Sequence, residues 1–447
     1  MSRSDAIAHH VRELYWESPS LQYLYAKSAS AAAAFRARTG QDYAALEEYC
    51  NAIRRVRSPE LRNKGIVRLN KFLSARFGQS TPATLGDNVF VRAFSNSNAG
   101  IAAKAKLKKL PPERRVNLQG NLLVLKLPSA NERGVLLVQY NYAIEQFLVN
   151  FKLADVCRRY AIVLEPSWGK IPEPYWALYC TADTPVLCEI ISAAASELMR
   201  TSGVSLVPLA MGAHDWVHDE IFRPLPEAKK EFDLVMIAGF ARLKRHNVLF
   251  RAMNKIGKGK LRVALIGRTM ERTRQEFDEE MRSYGVLEDC TVFQGLGPQQ
   301  VNDVLNRSKV NLLLSKAEAG NRGIMEGFAA GVPCIVYKHI VGPRHEDINA
   351  DTGVFSDDEE LAATIQNTLA NYTKFRPREW FSRNTGFRRS AATLNSALKA
   401  EFLKRGEAWT TDIVQKANMH ESRYISRDDA LRMKPGFDEL ATMLVEL

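Results

Sequence analysis

The chain has 447 residues, 46% of them apolar and 25% charged, with a net charge of +12. That length exceeds what one hydrophobic core can hold and suits two or three domains, while no run approaches the ~18 apolar residues of a bilayer span. The opening MSRSDAIAHHVRELYW lacks a secretory pattern, and six cysteines at 50, 157, 180, 188, 290 and 334 form no C-x-x-C pair, which argues against a zinc knuckle or disulfide framework and for a reduced, cytoplasmic setting.

The charge is unevenly placed. Residues 1–133 carry 22 Lys+Arg against 10 Asp+Glu, and the rest carries 40 of each. An attached region that reads an anionic surface accounts for this better than a generally basic enzyme.

Residues 1–80 read as helical, with few strand formers. In Lys64–Phe77, the apolar Ile66, Leu69, Phe72, Leu73 and Phe77 recur at helical spacing, with Lys64, Arg68 and Lys71 opposite. Two readings stand for this basic amphipathic helix: contact with an anionic membrane or polymer, or packing on its own domain with a solvated basic face. Residues 88–120, with Ser-Asn-Ser-Asn, Pro111-Pro112 and Lys104–Lys109, read as a long basic loop.

From about 121 compact apolar runs of strand length appear: 122–127, 135–140, 161–164 and 204–209, with helices expected over 143–160 and 185–201. A second alternation starts at Asp233. Strands are expected at 234–238, 262–267, 291–294, 310–314 and 333–337, separated by helices at 248–256, 273–284, 299–308 and 326–330, with a last helix at 358–372. Such alternation predicts parallel sheets with helices on their faces, and ligands at the carboxyl ends of the strands. Residues 374–447 read as mainly helical, with Trp380 and Trp409 as anchors. The domain boundaries implied are 1–120 (basic, helical), 121–229, 230–375 and 376–447.

Two loops of the second alternation carry chemistry. The first is Gly239-Phe-Ala-Arg-Leu-Lys-Arg-His-Asn247. Gly239 permits close backbone approach, and Arg242, Lys244 and Arg245 place cations before a helix N-terminus, which suits a diphosphate. His246 is either a phosphate contact or a capping residue. The second is Leu314-Ser-Lys-Ala-Glu-Ala-Gly-Asn-Arg-Gly-Ile-Met-Glu326. Glu318 and Glu326 can each accept two hydroxyl hydrogen bonds, as vicinal diols on a sugar require. The N–H groups around Gly320, Asn321, Arg322 and Gly323 can bind hydroxyls or phosphate. Gly331-Val-Pro-Cys-Ile-Val is a helix stop leading into a buried strand.

In this order, Ile-Ala-Gly239, Lys244, Leu-Ile-Gly267, Val-Phe-Gln-Gly295, Glu318-x7-Glu326 and Gly331-Val-Pro333 resemble the donor half of family-4-type GT-B glycosyltransferases (glycosyl transferases group 1). The resemblance covers residues 232–370. Pro208–Pro224 is similar to the segment that leads into that half, and the region before 121 has no counterpart. Phe240 stands where the family has an Arg, so Arg242 or Arg245 takes that place, and Ala319-Gly320-Asn321 replaces a Gly-Phe-Gly.

The resemblance implies a GT-B fold, two Rossmann-like domains facing a cleft, here with an extra basic helical N-terminal region. It implies retaining transfer from a nucleoside diphosphate sugar, a substrate rather than a cofactor. Glu326 would hold the ribose, Glu318 the sugar hydroxyls, and Lys244 with Arg242 or Arg245 the leaving diphosphate, without a metal. Arg268, after a strand-end glycine, is a further donor-binding candidate. His214-x3-His218 lacks a third metal ligand, and no P-loop is present. Glu165 with Trp168-Gly169 is a candidate for the acceptor side. A carbohydrate or lipid-linked glycan of the cell envelope, reached by peripheral contact with an anionic inner membrane face, is the expected acceptor. Nucleic-acid binding or glycosylation through residues 1–133 is the alternative.

Overall fold

The computed structural model describes residues 18–447 apart from 57, 78–80, 168–171, 343 and 419–421. The chain divides into two compact units. One comprises Met1–Ala210, Asn395–Val414 and Ser426–Leu447; the other comprises Met211–Leu394 and Gln415–Ile425. The sequence boundaries at 120/121, 229/230 and 375/376 are therefore drawn elsewhere: the early helices share a unit with the first sheet, and the C-terminal tail is divided.

The first unit opens with helices Pro19–Arg38, Asp42–Arg54 and Pro59–Phe77. In the last of these Leu69, Phe72 and Leu73 are buried, and Phe72 packs against Tyr49 and Phe90 with ring centroids 5.0 and 5.5 Å away. The apolar stripe is thus used inside the unit, while Arg62, Arg68 and Lys71 stay exposed. Residues 88–120 are not a loop. They form helices Val89–Ser95, Asn98–Lys108 and Pro112–Val116. The polar residues that suggested a loop are helix caps: Asn88 accepts from the Phe90 N–H and Ser97 from the Gly100 N–H, and the Ala/Lys run that follows has high helix propensity. Asn88 is fully buried and also donates to the carbonyls of Ala177, Leu178 and Cys180 at 2.7, 3.2 and 3.0 Å.

The sheet of this unit runs β1 (Leu122–Lys126), β2 (Gly134–Gln139), β3 (Tyr160–Glu165), β4 (Val186–Glu189), β5 (Val207–Leu209) in chain order. β1 is antiparallel to β2 and the others are parallel. The expected helix over 185–201 is instead β4 followed by helix Ala193–Thr201, capped by Ser192. A run of four residues is too short to show a period by which to tell strand from helix.

The second unit holds a six-stranded parallel sheet: β6 (Phe232–Ile237), β7 (Val263–Gly267), β8 (Cys290–Gln294), β9 (Ser308–Leu313), β10 (Cys334–Tyr337) and β11 (Gly353–Ser356). The last strand was not expected from sequence, because its Gly-Val-Phe-Ser is short and half-polar. The order is β11-β10-β9-β6-β7-β8, the 3-2-1-4-5-6 pattern reversed in listing. Apolar clusters cover both faces. Val235, Ala264, Leu313, Phe328 and Val336 belong to one; Leu234, Leu249, Leu265, Phe277 and Ile335 belong to the other. A hairpin of β12 (Lys416–Asn418) and β13 (Ser422–Tyr424) interrupts the tail expected to be helical. No helix among the described residues is long and apolar enough to cross a membrane.

Candidate functional site

Strand order reverses between β6 and β9, which pair in parallel with Leu234 opposite Val310. Connections leave these two strands on opposite sides of the sheet, so a crevice opens beyond their carboxyl ends. The loops that leave those ends are the two singled out in the sequence.

The first loop is held against its neighbour by small residues. A Cβ on Gly239 would overlap the Met270 sulfur, and one on Gly267 would overlap the Ala238 carbonyl. Gly239 therefore lets the two loops come into contact beside Met270. Phe240 turns inward and stacks on Phe277 at 4.2 Å, which is why no cation stands directly after the glycine. A 3₁₀ turn, Arg242–Lys244, follows. Arg242 is exposed, and its N–H donates to Glu271 at 2.9 Å. Lys244 pairs through Nζ with the carboxylate of Glu318.

Arg245 goes another way. It is 7% exposed, with φ at 60°. Its Nη1 donates to the Leu314 carbonyl at 3.1 Å, its Nη2 pairs with Asp358, and its guanidinium lies 4.2 Å from the centroid of the Tyr337 ring. The expected donor-binding cation is engaged inside the unit, tying the first loop to the end of β9. His246 is buried against Phe277 and Arg272. Burial, then the nearby Arg272 and Lys244, push its pKa down to about 3, so it is a neutral packing residue and not a phosphate cation. Arg268 is exposed beyond β7, and its carbonyl accepts from the Phe240 N–H at 2.9 Å.

The second loop leaves β9 through Ser315, fully buried, whose Oγ has no hydrogen-bond partner among the described residues. The Val341 N–H donates to the Lys316 carbonyl and the Glu318 N–H to the Val341 carbonyl, at 3.0 and 2.9 Å. This short parallel bridge fixes the backbone that carries Glu318, whose side chain is 9% exposed. After Gly320, Asn321 caps helix Arg322–Ala329 by accepting from the Ile324 N–H at 3.1 Å. The remaining first-turn N–H groups, Arg322 and Gly323 among them, have no partner within the helix. Gly323 lets the helix approach β6, since a Cβ there would come within 3.2 Å of Ile237. One turn on, Glu326 is 5% exposed and accepts from Arg322 Nε at 2.8 Å.

The structure thus brings Lys244 and Glu318 together, joins Arg322 to Glu326, leaves Arg242 and Arg268 exposed, and encloses Arg245. Tyr337, Asp358 and Val341-Gly342, which hold the two loops, had no signal beyond their place after strands. Beside the Asn321 cap, a cavity of about 20 Å³ is lined by Leu313, Ile324, Arg344 and Asp347, room for about one water. Arg344 pairs there with Asp215 at 2.6 Å and Asp347 at 3.0 Å. Among the described residues no group of three or more potential ligands could hold a metal ion, and His214 adjoins the Arg344–Asp215 pair. In the first unit Glu165 is buried at the end of β3 and accepts from Gln139 Nε2; Trp168 and Gly169 lie outside the described residues, as does Pro343.

Residues 217–385 match the family model described as Glycosyl transferases group 1. No curated protein matches the chain. Solved structures similar to it include a sucrose-phosphate synthase from Thermosynechococcus elongatus, 16% identical over 61% of this chain and 74% of that one, with a TM-score of 0.48. Anabaena HepE in complex with UDP-glucose is 14% identical over 60% and 78%, TM-score 0.46. A glycosyltransferase from Rickettsia africae is 15% identical over 71% and 83%, TM-score 0.48.

Proposed function

Because residues 217–385 match the family model of glycosyl transferases group 1, we propose that this chain moves a sugar from a nucleoside diphosphate sugar to an acceptor hydroxyl, with retention. Its two units each hold an α/β sheet, the parts of a GT-B fold, and the helices before β1 are an addition within the first unit. The observation that carries the site assignment is the Lys244–Glu318 pair, which spans the two loops at the strand-order reversal.

In this reading Glu326 accepts from the ribose hydroxyls. The first-turn N–H groups of helix Arg322–Ala329, with Lys244 and the exposed Arg242, face the diphosphate and stabilise the charge that grows as the sugar leaves. One such preorganised donor is typically worth roughly 3 kcal/mol. Glu318 exchanges its bond to Lys244 for the hydroxyls of the sugar. The departing phosphate takes the acceptor proton on the same face, so side chains supply the positive charge and no separate base is used. The acceptor is a carbohydrate, placed on an anionic lipid carrier at a membrane surface; the exposed Arg62, Arg68 and Lys71 of the first unit support an anionic carrier. A thermal-shift panel of UDP-, GDP- and ADP-sugars tests the donor assignment. One of them raises Tm; if none does, the reading is wrong.

A further inference from the structure

Both acidic residues of the candidate site are already matched by a cation. Lys244 holds Glu318 from the opposite loop, and Arg322 holds Glu326 from one turn earlier on the same helix. The second pair is unequal in exposure: the Arg322 side chain is 34% exposed and that of Glu326 only 6%. Arg322 can swing away, whereas Glu326 is fixed. A diol needs two acceptor sites on Glu326, and with only 6% of that side chain exposed a ribose arriving there meets the guanidinium that already holds Oε1.

Arg322 is also the first residue of its helix, so an anion set at the helix N-terminus lies within reach of the same side chain. A guanidinium fork binds phosphate oxygens as readily as a carboxylate. From these placements we infer that Arg322 is a specificity-determining residue that makes the site select ligands bearing a diphosphate. A nucleoside alone must displace the guanidinium and give it nothing in return. A nucleoside diphosphate displaces it from Glu326 and offers it the phosphates. This inference rests on the donor reading above and adds to it the reason for a cation at position 322.

The test is calorimetric binding of UDP, GDP and ADP and of uridine, guanosine and adenosine to the full chain and to Arg322→Gln and Arg322→Lys. For the base that binds, the native chain prefers the diphosphate over the nucleoside by a hundredfold or more. Arg322→Gln binds the diphosphate at least tenfold more weakly and the nucleoside severalfold more tightly, so the two affinities converge. Arg322→Lys, which keeps the charge but not the fork, falls between. Loss of both affinities in parallel, or no change in either, overturns the gate while leaving the donor assignment intact. Failure of the native chain to bind any of the three diphosphates overturns the donor assignment and the gate with it.

Discussion

Glu318 and Gly342 touch backbone to backbone: a Cβ on Gly342, where φ is +115°, would overlap the Glu318 carbonyl oxygen. The catalytic carboxylate proposed here is thus positioned by a glycine 24 residues later, through the bridge that joins Lys316–Glu318 to Val341.

Gly342→Ala forces that bridge apart. The left-handed φ alone costs about 1 kcal/mol for a residue with a Cβ, and the overlap adds to it. Transfer activity is expected to fall tenfold or more with a Tm change of only a few degrees, since the displaced segment is a loop. Steady-state kinetics beside a thermal melt checks the split; unchanged kcat would show that Glu318 does not depend on this contact.

In the proposed mechanism, removing Lys244 takes away a cation that faces the leaving group. Lys244→Ala is expected to lower kcat about 10²–10³-fold with a smaller effect on donor affinity. A loss confined to KM would place Lys244 in binding alone.

Arg245 belongs to a different class. Its guanidinium bridges the Leu314 carbonyl, Asp358 and the Tyr337 ring, so Arg245→Ala leaves Asp358 and a buried carbonyl without their partner. Asp358 is 34% exposed and can turn to solvent, so the expected cost is about 1–3 kcal/mol, set mainly by the buried Leu314 carbonyl left without its donor. The expected result is a lower urea midpoint for the second unit, measured without any substrate. Native stability with weakened donor binding would contradict this.

Glu145, on helix Asn141–Asn150, is pushed up to about 7 by burial, then by Glu47 and Glu173. A carboxyl raised in the folded state binds more protons there than when unfolded. Its contribution is therefore most favourable below the ordinary value near 4.5 and is lost as pH rises through about 7. Urea midpoints between pH 5 and 8 should decline less steeply for Glu145→Gln than for the native chain. The difference at pH 8 is on the order of 2 kcal/mol; identical slopes would refute the assignment.

Much of this was legible in the residues. The apolar runs announced nine of the eleven strands in the two main sheets because buried parallel strands lack polar alternation. The ordered glycines and the Glu318-x7-Glu326 spacing marked the loops at the strand-order reversal. Misreadings came where a residue type serves two purposes. Asn88 and Ser97 look like loop formers but cap helices. Arg242 and Arg245 are chemically identical, and only the left-handed turn at Arg245, which sends its side chain toward Leu314, tells them apart. Val186–Glu189 was too short to show a period.

Asn88 has a consequence for how the basic third of this chain must be regarded. Its amide closes three carbonyls around Tyr179, so cutting the protein at 121 would strip those oxygens bare in a dry interior. The helices before β1 are a structural wall of the first sheet and cannot be shed as a detachable module. An isolated 121–447 fragment would aggregate for want of that wall.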